Sequence, residues 1–323
     1  MSTGEFELIR RYFTRPAPHA ILGVGDDAAL VRVRRGHDLV VSTDMLVAGQ
    51  HFFRDADPLA LGHKALAVNL SDLAAMGATP RWATLALALP AADERWVRAF
   101  ARGFMALARR FDVDLIGGDT TRGPLNICVE IMGEAPHGMA LRRDGARSGD
   151  DIWVSGTLGD AALALAALKR RIKLTPAELA LCAVRLHRPQ PRVMLGLALR
   201  GVAHSAIDIS DGLLADLGHI LERSEMAAEI ELAALPVSAT LRRHLERVVA
   251  CSAMLAGGDD YELCFTAPRR LRERIIGVGR RARLLVTRIG SVRPHRRGTP
   301  RLVVRAADGT ALRVVRGGYD HFA

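Results

Sequence analysis

The chain has 323 residues, enough for two domains of ordinary size, and its 49% hydrophobic and 25% charged residues are typical of a globular protein. The first residues mix Glu and Arg into an apolar pattern, which argues against a signal peptide, and no apolar run reaches the roughly 18 residues of a transmembrane helix. We therefore expect a cytoplasmic protein with no membrane partner.

The formal net charge of +10 raises the alternative of a basic nucleic-acid-binding protein. Such proteins usually concentrate their basic residues in a stripe, often with aromatic side chains for stacking. Here the arginines are dispersed in pairs such as Arg242-Arg243, and aromatic residues make up only 5% of the chain. We expect no nucleic-acid partner, and a basic surface that attracts anionic substrates.

The first half of the chain predicts strands that alternate with two long helices. In chain order the predicted elements are a helix over 5–13, strands over 28–33 and 38–44, a helix from Asp57-Pro58 to a stop at Gly77, a strand over 82–89, a helix over 93–111, and strands over 113–118 and 127–133. This order predicts an α/β sandwich for the first half.

The composition turns to Gly, Arg and Asp between residues 136 and 151, where we place the domain boundary. The predicted domains are residues 1–137 and 138–323. The second half predicts a strand, a turn and a helix over 151–168, helices over 176–186 and 191–200, a short strand over 205–210 that leads into a helix near Asp211, and strands over 261–267 and 283–292. The fold class is α/β (α+β), with two α/β domains in sequence.

The four cysteines stand in apolar or helical contexts, and no two of them form a CxxC pair. This pattern favours buried, reduced thiols over a metal cluster or a disulfide framework. The residues are Cys128, Cys182, Cys251 and Cys264.

Five separate stretches place Asp at or near a turn among small or apolar residues. They read GVGDDAAL at 23–30, STDMLVAGQHF at 42–52, NLSDLAAMGA at 69–78, IGGDTTRG at 116–123 and IDISDGL at 207–213. Carboxylates in such surroundings are unfavourable unless a cation lies between them. A divalent metal that holds a polyphosphate is the simplest explanation.

Each acidic motif also has a structural explanation. Gly25-Asp26-Asp27 can be an ordinary turn, Ser42-Thr43-Asp44 can cap a strand end, and a single loop histidine such as His51 is usually solvated. Asp72 is harder to explain in this way. It lies on the same helix face as Asn69, three residues away, and its neighbours are Ala and Leu. We therefore favour a functional role for Asp72.

Two motifs follow strands and resemble phosphate loops. Gly117-Gly118-Asp119-Thr120 places paired glycines, a carboxylate and a hydroxyl after a buried-looking strand. Asp208-Ile209-Ser210-Asp211 ends a strand and begins a helix, so Ser210 or Asp211 is predicted as the helix N-cap, which leaves Asp208 unexplained. Neither a GxxxxGK[ST] loop nor a GxGxxG motif is present. Any phosphate site must therefore use acidic side chains and metal.

Together these motifs closely resemble the thiamine-monophosphate kinase family, which shares a superfamily with aminoimidazole ribonucleotide synthetase and selenophosphate synthetase. The resemblance also rests on GGDDYELCFT at 257–266 and GYDHF at 318–322, and it spans nearly the whole chain in order. It implies an N-terminal α/β domain whose strands pair across a homodimer, and a C-terminal α/β domain that closes over the site. It also implies ATP-dependent phosphorylation of thiamine monophosphate to thiamine diphosphate with several Mg²⁺ ions.

The resemblance also implies roles for individual residues. The implied metal ligands are Asp27, Ser42, Thr43, Asp44, Asp72, Asp119, Asp208 and Asp211. The implied nucleotide contacts are Gly118, Asp119, Arg143 and Ser210, and the implied substrate contacts are His51, Glu262 and Tyr319. Many family members carry a nucleotide-contacting Tyr in the helix before the GGD motif, and Ala101 stands at that position here.

A direct in-line transfer fits these residues, with no covalent nucleophile and with His51 positioning the substrate. A sister ATP-dependent synthetase activity is the main alternative. Selenophosphate synthetases carry a reactive Cys or selenocysteine with a Lys near the N-terminus, and the hydrogenase maturation relative ends in a functional Cys. This sequence has neither feature. An amidine-forming synthetase and the basic nucleic-acid-binding protein stay open as alternatives.

Overall fold

A computed structural model of the chain describes residues 4–312 and 318–319. The chain divides into two compact units. The first comprises Met1–Leu73 with Ala78–Gly138, and the second comprises Ala74–Gly77 with Met139–Ala323. In the described part of the chain, no helix combines the length and the apolar character needed to cross a membrane.

The first unit alternates strands with helices, as the sequence predicts. Its elements are α1 (Glu5–Leu8, continued by a π-helical turn over Ile9–Phe13), β1 (Ala20–Leu22), β2 (Leu30–Val31), β3 (His37–Val47), α2 (Pro58–Ala75), β4 (Thr79–Leu89), α3 (Glu94–Arg110), β5 (Asp114–Arg122) and β6 (Asn126–Pro136). Strands β3 to β6 form a four-stranded sheet in the order β3-β6-β4-β5. Only the β4–β5 pair is parallel, because α3 connects those two strands.

Helix α2 begins and ends where the sequence indicates. The Asp57 carboxylate accepts the backbone N–H groups of Leu59 and Ala60, at 3.1 and 3.3 Å. At the other end, Gly77 adopts a left-handed conformation with φ of 62°. A Cβ on Gly62 would lie 2.0 Å from the carbonyl oxygen of Phe100. Glycine is therefore needed where α2 crosses α3.

The second unit is a larger mixed sheet with helices. Its elements are β7 (Asp150–Ser155), α4 (Asp160–Leu168), α5 (Pro176–His187), α6 (Val193–Leu199), β8 (Ser205–Asp208), α7 (Leu213–Arg223), β9 (Met226–Glu231), α8 (Ala239–Arg242), α9 (Val248–Ala256), β10 (Leu263–Pro268), α10 (Arg272–Arg281), β11 (Val286–Pro294), β12 (Leu302–Arg305) and β13 (Ala311–Leu312). The strand order is β13-β12-β9-β11-β7-β10-β8, antiparallel except for β12 with β9.

The core of the second unit lies where α4, α7 and α9 contribute apolar side chains against the sheet. Leu163, Leu217 and Met254 from these helices belong to one buried cluster with Ile152 and Ile207 from the strands. Strand β7 is buried along its whole length, including the carboxylates of Asp150 and Asp151. Burial of this kind requires donors from other parts of the unit.

Three sequence expectations need correction. The strand expected over 28–33 is limited to Leu30–Val31, which pairs with Ala20–Leu22. The motif Gly117–Thr120 lies inside β5 and not after it, because β5 continues to pair with β4 beyond a bulge near Ile116. Of the four cysteines, all unbridged, only Cys182 and Cys264 are buried, and Cys128 and Cys251 are half-buried.

Candidate active site

In the first unit, the predicted residues of β3 and α2 come together. The Ser42 hydroxyl donates to the Asp72 carboxylate at 2.5 Å. The side-chain oxygen of Asn69 accepts the backbone N–H of Asp44 at 3.2 Å, and its amide nitrogen donates to the carbonyl of Ala65. Asn69 is fully buried, whereas Ser42, Asp44 and Asp72 are half-buried. One hydroxyl and two carboxylates therefore lie at the edge of a buried helix–strand contact.

The register of the sheet separates the other predicted residues from this cluster. Asp44, Val129, Leu85 and Gly118 are aligned across the four strands, and so are Met45, Cys128, Ala86 and Asp119 in the next row. Side chains in adjacent rows point to opposite faces, so Asp119 faces away from the Asp44 side of the sheet. Thr43 shares the Asp119 face by the same alternation.

Asp119 is also distant from Asp44 along the sheet. The two residues lie on β5 and β3, the two edge strands of the sheet. Three interstrand spacings separate these edges, which is about 14 Å at roughly 4.8 Å per spacing. A single metal ion cannot bridge that distance within one copy of the chain.

Glycine is required at position 118. Its φ is 147°, and a Cβ would lie 1.9 Å from the carbonyl oxygen of Leu85 on β4. The bulge just before this position allows β5 to approach β4 so closely. Gly118 and Asp119 are exposed at the strand surface, where their backbone and side chain are accessible to a ligand.

His51 closes the turn that follows β3. The ring Nδ1 of His51 accepts the backbone N–H of Val47 at 3.0 Å, and the backbone N–H of His51 donates to the Val47 carbonyl. Because a backbone N–H can only donate, Nδ1 carries no proton, and a neutral ring carries its proton on Nε2. Asp27 lies in a separate exposed bend, where its N–H donates to Asp26 at 2.9 Å.

In the second unit, Asp216 organises the loop between β8 and α7. Its Oδ2 accepts the backbone N–H groups of Ser210, Asp211 and Gly212 at 3.1, 3.1 and 3.0 Å. The N-cap residue is Gly212, with no side-chain cap, so the N-cap predicted at Ser210 or Asp211 is wrong. Burial raises the pKa of Asp216 to about 7, and the nearby Asp211 charge contributes.

Asp208, Ser210, Asp211 and Tyr319 lie on or beside this loop, whereas Arg143 lies by Ser224, the C-cap residue at the opposite end of α7. Asp208, the last residue of β8, is buried, and Ser210 and Asp211 are half-buried. The N–H of Tyr319 donates to the Asp211 carbonyl at 3.1 Å, and half of the Tyr319 side chain is exposed. Arg143 is exposed in a 3₁₀ turn, and its carbonyl accepts the Ser224 hydroxyl at 2.9 Å.

The segment before β10 has two residues in the left-handed region, Asp259 with φ of 69° and Tyr261 with φ of 50°. The left-handed conformation is uncommon for residues other than glycine, so contacts with the rest of the unit must hold this segment in place. Asp260, between them, is buried and accepts the Gly159 N–H with both oxygens at 2.9–3.0 Å. Burial raises the pKa of the Asp260 carboxyl well above its usual range.

Glu262 has no exposed surface and lies in a network of donors. Its carboxylate accepts the Ser155 hydroxyl at 2.5 Å, Arg185 at 3.2 Å and the Arg192 Nε at 2.6 Å. A Cβ on Gly156 would overlap this carboxylate, which explains the glycine there. In this structure Glu262 holds two guanidinium groups in place, and its expected contact with a substrate stays a prediction.

No group of three or more His, Cys, Asp or Glu side chains among residues 4–312 and 318–319 is arranged to hold a metal ion unaided. The oxygen donors at Ser42, Asp44 and Asp72 are nevertheless of the hard type that Mg²⁺ prefers. Mg²⁺ is usually held by one or two carboxylates together with substrate phosphates and water, so a complete protein cage is not required. The donor set of the first unit therefore fits a magnesium ion that arrives with a phosphate ligand.

Sequence reasoning missed Asp216, Arg185 and Arg192. Asp216 lies five residues beyond Asp211, near which the predicted helix begins, and an acid there looks like an ordinary surface residue. The two arginines lie 77 and 70 residues before Glu262, and no local pattern connects them. Ala101, expected in place of a nucleotide-contacting Tyr, is buried in α3.

Comparisons with known proteins extend over nearly the whole chain. The family model described as AIR synthase related protein, N-terminal domain, matches residues 25–135, and its C-terminal counterpart matches residues 147–303. The thiamine-monophosphate kinase of Escherichia coli (strain K12) is 48% identical over 328 residues, which cover 100% of this chain and 99% of that protein.

Two solved structures share the architecture. The thiamine-monophosphate kinase from Stenotrophomonas maltophilia K279a matches with a TM-score of 0.84 and 49% identity, over 95% of this chain and 96% of that chain. AaThiL complexed with AMPPCP and TMP matches with a TM-score of 0.76 and 34% identity, over 93% of this chain and 92% of that chain. Both the fold and the sequence are therefore shared with these proteins.

We predict that Glu262→Gln lowers the free energy of unfolding by about 3 kcal/mol, because removal of one partner leaves two partly buried guanidinium groups uncompensated. Urea denaturation followed by circular dichroism measures this loss. Glu231→Gln is the matched control, since Glu231 is exposed and its 3.4 Å contact with Arg288 should contribute no more than about 0.5 kcal/mol. Equal losses in the two variants would contradict the assignment of Glu262 to a buried ion-pair network.

Proposed function

Because this chain belongs to the thiamine-monophosphate kinase family, we propose that it transfers the γ-phosphoryl group of ATP to thiamine monophosphate, forming thiamine diphosphate and ADP. The observation that carries this proposal is the 48% identity to a thiamine-monophosphate kinase over essentially the full length of both chains. The complex of AaThiL with AMPPCP and TMP supports ATP and thiamine monophosphate as the two substrates.

The acceptor in this reaction is a phosphate group. Its second pKa is about 6, so it is already an oxyanion near neutral pH and needs no strong general base. A direct in-line transfer is therefore sufficient: the acceptor oxygen bonds to the γ-phosphorus while the bond to the bridging oxygen of ADP breaks. The residues have to align the two substrates and compensate the repulsion between two anionic groups.

The occupied Nδ1 of His51 supports a direct transfer. That nitrogen accepts the Val47 N–H, and the other nitrogen carries the proton in the neutral ring, so neither lone pair is available to attack phosphorus. We assign His51 to substrate positioning. No phosphohistidine forms in this scheme.

In the first unit, Ser42, Asp44 and Asp72 would hold Mg²⁺, with Asn69 fixing the strand that carries Asp44. Bound Mg²⁺ supplies positive charge that offsets the charge on the phosphate oxygens of the substrates. In the second unit, Asp208 and Asp211 are assigned to further metal ions, and Ser210 and Arg143 to the nucleotide. Glu262 and Tyr319 are assigned to the substrate.

We assign Asp119 to the interface of a homodimer. This residue lies about 14 Å across the sheet from Asp44 and on the opposite face, so the two cannot hold one ion in one protomer. The same face exposes large apolar side chains on β3, namely Leu39, Val41 and Met45, each more than 40% exposed. We assign this face to a second copy of the chain, so that Asp119 lies at the interface between the two protomers.

We predict that the purified protein, given ATP, Mg²⁺ and thiamine monophosphate, forms thiamine diphosphate and ADP in a 1:1 ratio, as measured by chromatography. Chelation of Mg²⁺ should abolish the reaction. Asp72→Asn should lower kcat/KM by at least about 100-fold, because a charge that orients the phosphates is lost. Asp38→Asn, an exposed carboxylate paired with His137, is the control and should stay near wild type. ADP formation without thiamine diphosphate would favour a synthetase-type activity.

A further inference from the structure

We propose that Asp216 is a positioning residue for the acidic loop over residues 208–212. The inference rests on the proposed function, which assigns Asp208, Ser210 and Asp211 of this loop to metal and nucleotide. Asp216 itself belongs to none of the assigned contacts. Its side chain acts on the backbone that carries them.

Asp216 does not act as an ordinary helix cap. A cap accepts the first N–H groups inside a helix, and here α7 begins at Leu213. One oxygen of Asp216 instead accepts the N–H groups of Ser210, Asp211 and Gly212, all of which precede the helix. The carboxylate therefore fixes the loop and not the first turn of α7.

The other backbone groups of the loop are also paired. The Ile209 N–H donates to the Glu262 carbonyl, and the Ile209 carbonyl accepts the Tyr261 N–H at 2.8 Å. The carbonyls of Ser210 and Asp211 accept the N–H groups of Asp259 and Tyr319, at 2.9 and 3.1 Å. Every backbone polar group from 209 to 211 thus has a protein partner, and Asp216 supplies the acceptor for two of the three N–H groups.

Close packing behind the loop leaves it little room to relax. A Cβ on Gly258 would lie 2.3 Å from the Ser210 carbonyl oxygen, and one on Gly212 would lie 2.7 Å from the backbone carbon of Ala256. The loop is therefore clamped between backbone on one side and the Asp216 carboxylate on the other. Without that carboxylate, three N–H groups lose their acceptor, and the loop must rotate to find new ones.

Such a rotation would displace the Ser210 and Asp211 side chains from their assigned positions. A misplacement of about 1 Å in a phosphoryl-transfer site is enough to lower the rate about 100-fold. Asp is suited to this position because its short side chain directs one oxygen back to three successive N–H groups. Asn retains an acceptor oxygen of the same reach, whereas Ala and Ser do not reach all three groups.

The test compares Asp216→Ala, Asp216→Ser and Asp216→Asn by two measurements: kcat/KM for thiamine diphosphate formation, and the affinity for Mg²⁺-AMPPCP by isothermal titration calorimetry. We expect Asp216→Ala and Asp216→Ser to lower kcat/KM about 100-fold and to weaken Mg²⁺-AMPPCP binding at least 10-fold. Asp216→Asn should stay within about 10-fold of wild type in both measurements, because it keeps the acceptor oxygen. Asp216→Ser serves as the loss-of-acceptor variant if Asp216→Ala does not fold.

Asp114→Ala is the matched control for the loss of an acceptor, since Asp114 is also buried and its carboxylate accepts a backbone N–H, that of His19 at 2.6 Å. It should lose thermal stability yet bind Mg²⁺-AMPPCP as wild type does. The inference is overturned if Asp216→Ala or Asp216→Ser binds Mg²⁺-AMPPCP as tightly as wild type, or if Asp216→Asn is as impaired as Asp216→Ala. A wild-type protein that binds Mg²⁺-AMPPCP but makes no thiamine diphosphate would contradict the proposed function, and the binding comparison would still decide the role of Asp216.

Discussion

A carboxylate can be buried only where donors are brought to it, and this requirement organises both units. In the first unit, Glu134 is almost fully buried and binds Arg34 and Arg81 at 3.0 and 3.3 Å. Burial raises the pKa of Glu134, but the backbone N–H of Arg34 and the two guanidinium groups together hold it below its usual range. In the second unit, Asp151 is fully buried and binds Arg272 at 2.6 Å and Arg288 at 3.0 Å. Part of the arginine excess is thereby committed to ion pairs within the fold, which weakens the case for a nucleic-acid surface.

Exposure separates structural from functional carboxylates. Glu134, Asp151 and Glu262 receive charged donors from the protein, Asp216 receives three backbone N–H groups, and all four are buried. Asp44 and Asp72 are half-buried at the edge of a helix–strand contact, where the Ser42 hydroxyl donates to Asp72. The buried group holds the chain in place, whereas a ligand can reach the partly exposed group. We regard this contrast as the physical basis for assigning metal binding to the partly exposed group.

Much of this could be predicted from the sequence where the determinants are local. Asp57-Pro58 and Gly77 predicted the ends of α2, and the spacing of Asn69 and Asp72 predicted their common face. Long-range features could not be predicted in this way. The bulge that keeps Asp119 inside β5 depends on pairing with β4, and the N-cap at Gly212 depends on a carboxylate four residues later. The network around Glu262 joins it to residues 77 and 70 positions earlier, and family resemblance alone pointed to Glu262 as a site residue.

The central claim is that Asp44 and Asp72 hold divalent metal against the phosphates of the substrates. Anomalous diffraction from crystals grown with Mn²⁺ in place of Mg²⁺, together with AMPPCP and thiamine monophosphate, tests it most directly. We expect an anomalous peak about 2.1 Å from carboxylate oxygens of both residues, the spacing of a hard cation to oxygen. Bound AMPPCP with no metal peak at Asp44 or Asp72 would contradict the account.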